Sequence, residues 1–302
     1  KFYGYIRKRF DCMRVLVTGG AGFIGANLIR RLVDEGHDVV SIDNYSTGKK
    51  ENEQRGCIYY NLDISDKPTE SVVGKQDLVF HLAARARILP SIKNPAYTLM
   101  NNLNSSIRVL DYVRSKRIPI VFAGSSSSNG NIYSNPYTFS KSSGEGLFEL
   151  YNKLYDIPMS ICRFYNVYGE YQLTEGAYCT VLGIFQKLYE EGKPLTITGD
   201  GEQRRDFTYV GDIVDGLWRC GEHLVYRNSS KTNGQTFELG RGKNYSINEI
   251  AGAFGDYPTE YIDKRPGEMR NTLNTDTKAK DLLGWEPTVD ILDYIKKYIL
   301  KK

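Results

Sequence analysis

Apolar positions along the chain follow two periods. Arg14–Thr18, Asp38–Asp43, Ile58–Leu62, Asp77–Leu82, Ile118–Ala123 and Met159–Phe164 are short runs of strand length, rich in Val, Ile and Phe. Between them the apolar residues fall at helical spacing, as with Ile24, Leu28, Ile29, Leu32 and Val33 within Phe23–Glu35. Longer helices are predicted over Tyr97–Ser115 and Tyr137–Tyr155. Strands separated by helices predict a parallel sheet with both faces covered, because each crossover carries a helix back over the sheet. Beyond about residue 166 the pattern loosens. It predicts a helix near Val181–Glu191, an extended stretch Lys193–Thr198, a loop Gly199–Asp206 and a helix from about Gly211. A strand at Thr236–Leu239 and short helices near Ile247–Phe254, Thr277–Leu283 and Val289–Lys297 follow. A smaller lobe without a clean sheet pattern of its own is the simplest account.

Composition narrows the class of protein. The 302 residues are 40% hydrophobic and 25% charged, as in a folded globular chain. Lys plus Arg is 40 and Asp plus Glu is 36, so the net charge of +4 gives no general attraction to nucleic acid or to an anionic membrane. No apolar run reaches the roughly 18–20 residues that cross a bilayer. Cys12, Cys57, Cys162, Cys179 and Cys220 are scattered and odd in number, with no C-x-x-C pair. That argues against a disulfide framework or a metal cluster and points to a reducing, cytoplasmic setting. Residues 1–12 are basic and aromatic and read as an extension outside the fold, since Met13 opens the first strand-like run.

Gly19-Gly20-Ala21-Gly22-Phe23-Ile24-Gly25 joins the first strand to the first helix. Glycine permits the tight turn, the approach of backbone to a pyrophosphate and close packing of helix on strand. The free N–H groups of the helix start then face the phosphates. Asp43 ends the second strand, eighteen residues past Gly25. A carboxylate there accepts hydrogen bonds from adenosine ribose hydroxyls and repels a 2′-phosphate, which favours NAD over NADP. The fold class predicted is therefore α/β, a Rossmann-type doubly wound parallel sheet with a smaller α/β C-terminal substrate lobe. Residues 13–165 would bind the dinucleotide and 166–302 the substrate, with a segment near 208–240 returning to the first part.

Tyr137-Thr138-Phe139-Ser140-Lys141 puts a phenol and an ammonium on one helix face. Tyrosine is a poor base at neutral pH, and a nearby positive charge favours its phenolate. With 23 tyrosines the motif alone is weak; its placement after the strand Ile118–Ala123 gives it meaning. That strand runs into Gly124-Ser125-Ser126-Ser127-Ser128-Asn129-Gly130, where a serine can relay a proton between the reacting oxygen and Tyr137.

With these residues in view, the chain resembles the extended short-chain dehydrogenase/reductases of the nucleotide-sugar epimerase type, from about Met13 to Tyr294. The resemblance rests also on Asp43-Asn44, Asp63-Ile64, His81-Leu82-Ala83-Ala84, Asn102, Arg163 to Gly169, Gly199 to Phe207, Arg265-Pro266-Gly267-Glu268 and Leu283 to Pro287. It implies that Gly19, Gly22, Phe23, Ile24, Gly25, Asp43, Asn44, Asp63, Ile64, Ala83, Asn102, Tyr137 and Lys141 hold NAD. It implies catalysis by Ser125, Tyr137 and Lys141. It places Ser126, Asn166, Arg205, Arg265, Glu268 and Thr272 on a UDP-sugar, with no metal. A fork of Arg donors suits a diphosphate. Arg204 reads as a surface ion pair.

Related dehydratases and decarboxylases carry acids just after the catalytic hydroxyl, where this chain has Ser126 and Ser127. The resemblance therefore implies 4-epimerisation through a transient 4-keto sugar. Thr272 is small enough to admit a 2-acetamido group, which leans the reading to UDP-GlcNAc/UDP-GalNAc, with UDP-Glc/UDP-Gal beside it. Alternatives are a UDP-glucuronate 4-epimerase, a 4-keto reductase or dehydratase, and an idle NAD-binding scaffold. Arg85 and Arg87 are the cations that a uronic acid would need, and they read as a solvated loop. Asn129 stands where the family usually has Tyr, and the segment from Gly130 to Tyr137 is short, so substrate cover is expected to differ. The family also implies a homodimer built on the two long helices.

Overall fold

The computed structural model describes residues 12–66, 69–226, 231–264 and 269–301. The first strands and helices run β1 (Arg14–Thr18), α1 (Phe23–Asp34), β2 (Asp38–Asp43), β3 (Cys57–Asn61), α2 (Glu70–Val73), β4 (Leu78–His81), α3 (Ile88–Lys93), α4 (Pro95–Lys116), β5 (Ile120–Ser125), α5 (Pro136–Tyr155) and β6 (Met159–Phe164). They are followed by β7 (Asn166–Tyr168), α6 (Val181–Glu190), β8 (Leu195–Thr198), β9 (Arg204–Tyr209), α7 (Val210–Tyr226) and β10 (Gln235–Leu239). The chain continues with β11 (Asn244–Ser246), α8 (Ile247–Gly252), β12 (Thr259–Ile262), α9 (Lys278–Leu283) and α10 (Ile291–Tyr294), which runs into a π-helical turn at Ile295–Ile299.

Seven strands form one sheet in the order β10-β6-β5-β4-β1-β2-β3, with every neighbouring pair parallel. Alternation along each strand divides its side chains between two cores. Val15 and Val17 join Leu78, Phe80, Val121 and residues of α1 and α7 on one face. Leu16 joins Val79, Ile120, Phe122 and residues of α4 and α5 on the other. The strand order reverses between β1 and β4, which opens a crevice at the carboxyl ends of the strands. The doubly wound sheet is thus as the sequence predicts.

The C-terminal lobe is α/β as expected, and it carries two small sheets, β11-β9-β7 and β12-β8, that the apolar periodicity does not mark. Its strands are three to six residues long, too short to register a period. Part of the predicted loop Gly199–Asp206 is the start of β9, whose Arg204-Arg205-Asp206 is polar. Asp206 is fully buried, and its carboxylate accepts the N–H groups of Arg241 (2.8 Å), Gly242 (2.9 Å) and Asn274 (3.0 Å). A tertiary tie of that kind, rather than apolar alternation, makes this stretch a strand. A third core around Tyr168, Phe185, Ile197, Phe207, Ile250 and Ile295 fills the lobe.

Candidate active site

A cavity of about 530 Å³ runs from the glycine turn after β1 to the wall of the C-terminal lobe. At its first end, Gly19 has φ +75°, and a Cβ there would lie 2.9 Å from the Ala83 backbone. A Cβ on Gly25 would stand 2.2 Å from the Gly19 carbonyl oxygen. Helix α1 starts behind Gly22 with no side-chain cap, so the N–H groups of Phe23 and Ile24 are open to an anion. Asp43 is buried on the cavity wall, and its carboxylate accepts Ala21 N–H (2.9 Å) on one oxygen and Tyr45 N–H (2.8 Å) on the other. Burial pushes its carboxyl up, against those N–H groups. Asn44 donates to Asp63 (2.7 Å), and the Ser65 hydroxyl and N–H hold the other Asp63 oxygen. These bonds outweigh burial and keep Asp63 below the usual carboxylate range. Ile64 and Ala83 complete this wall. The cradle fits a dinucleotide.

Two features here correct the sequence reading. Arg85 does not sit in a solvated loop. It is buried over the Tyr97 ring, bonds the Tyr97 hydroxyl, and leaves its Nε without a partner at the cofactor end of the cavity. Asn102 is not on the cavity wall. It stands behind it, accepting Arg85 N–H (2.7 Å) and donating to Ser140 (2.9 Å), so it fixes the Arg85 turn against α5.

Ser125 closes β5, and Tyr137 opens α5. Asn135 caps that helix by accepting Thr138 N–H (2.9 Å), with Pro136 at the first helical position. The Tyr137 hydroxyl donates to Ser125 Oγ at 3.4 Å, and Ser127 Oγ lies 2.9 Å from the same atom. One helical turn on, Lys141 is buried with Nζ donating to the Ala123 carbonyl at 2.7 Å. Burial pulls Lys141 down to about 8, with Glu145 acting the other way. Burial pushes the Tyr137 phenol up; Ser125 and Arg87 pull it down, and Glu145 adds to the rise. The protein by itself therefore keeps Tyr137 protonated.

Glu145 was not singled out from the sequence, although its spacing from Tyr137 and Lys141 puts all three on one helix face. Arg163 bonds its carboxylate through Nε (3.0 Å) and Nη2 (2.6 Å) and also reaches Glu238 (3.1 Å). Glu145 in turn accepts Ser125 N–H (3.3 Å) and the Ser128 hydroxyl (3.1 Å), and so anchors the serine turn from behind. Asn129 accepts a bond from Arg163 at 2.5 Å and belongs to this network rather than to the substrate side. The short connection from Gly130 to Tyr137 is a tight turn, closed by Ser134 N–H to the Asn131 carbonyl (3.1 Å).

On the lobe side, Asn166, Thr272 and Arg205 face the same cavity, opposite Ser126 of the serine turn after β5. Thr272 Oγ1 accepts Asp206 N–H (3.3 Å) and Asn166 Nδ2 (3.5 Å), so the two side chains share one wall. Arg205 bonds the Arg204 carbonyl (2.9 Å), whereas Arg204 itself pairs with Glu249 at 2.9 Å, as read from the sequence. Arg265 and Glu268 lie outside the described residues. Arg87 also faces the cavity, with Nε bonded to the Tyr178 carbonyl (2.8 Å); it too is no solvated loop residue.

A glycine cradle with a ribose-binding acid, joined to a Ser, Tyr and Lys cluster, is the site of a dinucleotide-dependent enzyme acting on an alcohol or ketone. The chain belongs to the NAD dependent epimerase/dehydratase family, whose profile matches residues 15–240. It is accordingly an NAD-dependent enzyme. It is similar to a putative UDP-glucose 4-epimerase of Methanocaldococcus jannaschii, 34% identical over 94% of this chain and 97% of that one. Among solved structures it is similar to the UDP-N-acetylglucosamine 4-epimerase of Methanobrevibacter ruminantium in complex with UDP-N-acetylmuramic acid. The TM-score is 0.86 at 28% identity, covering 97% of this chain and 100% of that one. It is also similar to the UDP-glucuronic acid 4-epimerase of Bacillus cereus in complex with UDP-glucuronic acid and NAD. There the TM-score is 0.84 at 28% identity, covering 96% and 99%.

Proposed function

We propose that the protein interconverts the C4 epimers of a UDP-sugar through a transient 4-keto sugar, with NAD kept bound throughout. The observation that carries this reading is the Tyr137 hydroxyl 3.4 Å from Ser125 Oγ, with Lys141 one turn away in the same cavity. NAD, when bound, would supply reversible hydride transfer at C4 of the sugar. With Lys141 and the positive nicotinamide of bound NAD favouring its phenolate, Tyr137 would take the proton of the sugar 4-hydroxyl, directly or through Ser125, and give it back when the ketone is reduced. Lys141 holds the nicotinamide ribose and adds positive charge beside the phenol. Asp43 would take the adenosine ribose, and the N–H groups of Phe23 and Ile24 would hold the pyrophosphate. Ser126, Asn166, Arg205 and Thr272, with Arg265 and Glu268, hold the UDP-sugar. No carboxylate follows Ser125 to drive elimination; Glu145 is turned to Arg163 instead. The small Thr272 leaves room for a 2-acetamido group, which supports UDP-GlcNAc/UDP-GalNAc among the substrates.

The test is incubation with UDP-Glc, UDP-GlcNAc and UDP-GlcA without added cofactor, with chromatography of the products. The 4-epimer is expected without accumulation of NADH. Tyr137→Phe should lose about 10²–10⁴ in kcat while keeping its bound cofactor. Equal turnover in the variant would sink the assignment. Thr272→Tyr should depress turnover of the N-acetylated sugar more than that of UDP-Glc. We also read the outer faces of α4 and α5 as a homodimer surface, since Met100 and Leu154 are 63% and 64% exposed there.

A further inference from the structure

Arg87 is the N-cap of α3, and that helix docks on the start of α5 through the bond from Tyr137 N–H to Ser91 Oγ (3.1 Å). The Arg87 side chain crosses from this point to the Tyr178 carbonyl, on the loop that precedes α6, and so borders the cavity beside Tyr137. The titratable groups that face it are Tyr137, Cys179 and Tyr178, none of them a carboxylate. Among the described residues no carboxylate pairs with it. A guanidinium has five donors, and this one uses Nε on a carbonyl, which leaves the planar Nη1/Nη2 edge for something else. Desolvating a cation without an anion is unfavourable, and burial pulls Arg87 below its ordinary value. Contrast Arg85, whose charge lies near Asp43 and Asp63, and Arg163, paired with Glu145 and Glu238. A cation left unpaired in a ligand cavity is satisfied by the ligand.

We propose that the Arg87 guanidinium receives a carboxylate on the sugar, so that the enzyme acts on an acidic UDP-sugar, a uronic acid, in preference to its neutral counterpart. The inference rests on the epimerase reading and adds the substrate class to it. Its position beside Tyr137 puts the anion next to the reacting carbon, away from the diphosphate that Arg205 would hold across the cavity. A planar fork suits a carboxylate in two-point contact, which the matching Lys would give only as a point charge.

UDP-GlcA and UDP-Glc differ only at C6, so they form the matched pair for the test. The holoenzyme should show kcat/KM at least tenfold higher for UDP-GlcA. Arg87→Met should shrink that ratio by about tenfold to a hundredfold, and Arg87→Lys should shrink it less. Equal binding and turnover of the two sugars by the unaltered protein would overturn the proposal while leaving the epimerase reading intact. So would an equal loss on both sugars in Arg87→Met, which would make Arg87 a clamp on the Tyr178 loop. Loss of affinity for UDP alone in Arg87→Met, matching the loss for UDP-GlcA, would assign the residue to the diphosphate instead. If no sugar is turned over, the epimerase reading fails, and the binding ratio of the pair, by calorimetry, still decides what Arg87 recognises.

Discussion

His81 shows how burial of one side chain sets a pH limit on the whole site. Its imidazole lies 2.7 Å from Thr18 Oγ1 and 3.4 Å from Ser106 Oγ, beside the stacked rings of Phe122 and Phe148. Burial, and then the charge of Lys141, pull it down to about 3. In the unfolded chain the ring titrates near 6.5. Above that pH both states are neutral and its contribution to stability is intact. As pH falls from 6.5 toward 3, only the unfolded state takes the proton, and stability is lost. The unfolding free energy of the protein should therefore drop relative to that of His81→Gln by about 1.6 kcal/mol between pH 6.5 and 5. Denaturant titrations at the two pH values check this; a constant difference would remove His81 as the cause. At the same scale, Asp43 was legible from its place at the end of β2 and Tyr137 and Lys141 from their Y-x-x-x-K spacing at a helix start, whereas the choice of Ser125 within the serine turn came from the resemblance. Arg85 and Arg87 were not, since polar residues after a strand read as loop until the fold shows what encloses them.

The element that makes the cofactor end is the strand–turn–helix from Arg14 to Asp34. Its geometry leaves no space for a methyl group at Gly25, where a Cβ would meet the Gly19 oxygen at 2.2 Å and Gly20 Cα at 2.7 Å. Both are backbone atoms, so α1 would have to move off β1. Gly25→Ala should cost about 1–3 kcal/mol in stability and lose bound NAD, read as cofactor absorbance after gel filtration. Retention of full cofactor content would mean that the turn is softer than its packing implies. Elements of this kind were the most legible ones. The bounds of β1, β2 and β6 match the apolar runs, because a buried parallel strand is apolar throughout. The long helices begin earlier than their apolar periodicity, at Pro95 and Pro136, because Asn94-Pro95 and Asn135-Pro136 supply cap and first turn. The lobe strands were illegible for the opposite reason, being held by ties such as those to Asp206.

At the scale of the molecule, one group of exposed apolar side chains lies on α4 and α5. Tyr97, Met100 and Ile107 recur on one face of α4, and Leu150 and Leu154 on α5. The two helices are tied by the Tyr151 hydroxyl to Asp111 (3.1 Å), so they present one surface. Light scattering after gel filtration should report a dimer, and the pair Met100→Glu with Leu154→Glu should give monomers that still bind NAD. A monomeric unaltered protein would discard that surface as a self-contact.

The seven-stranded sheet takes its last strand, β10, from within the C-terminal half of the chain, between lobe strands β9 and β11, and its core also takes Trp285, whose indole N–H donates to the Asp212 carbonyl at 2.7 Å. During synthesis, therefore, the first half of the chain cannot complete itself as it leaves the ribosome. The free edge of β6 and the apolar face awaiting α7 and Trp285 stay open until nearly the whole polypeptide has emerged. A nascent chain stalled near residue 165 should be a good client for chaperones. Expressing the two lobes as separate polypeptides should yield one insoluble piece rather than two working ones.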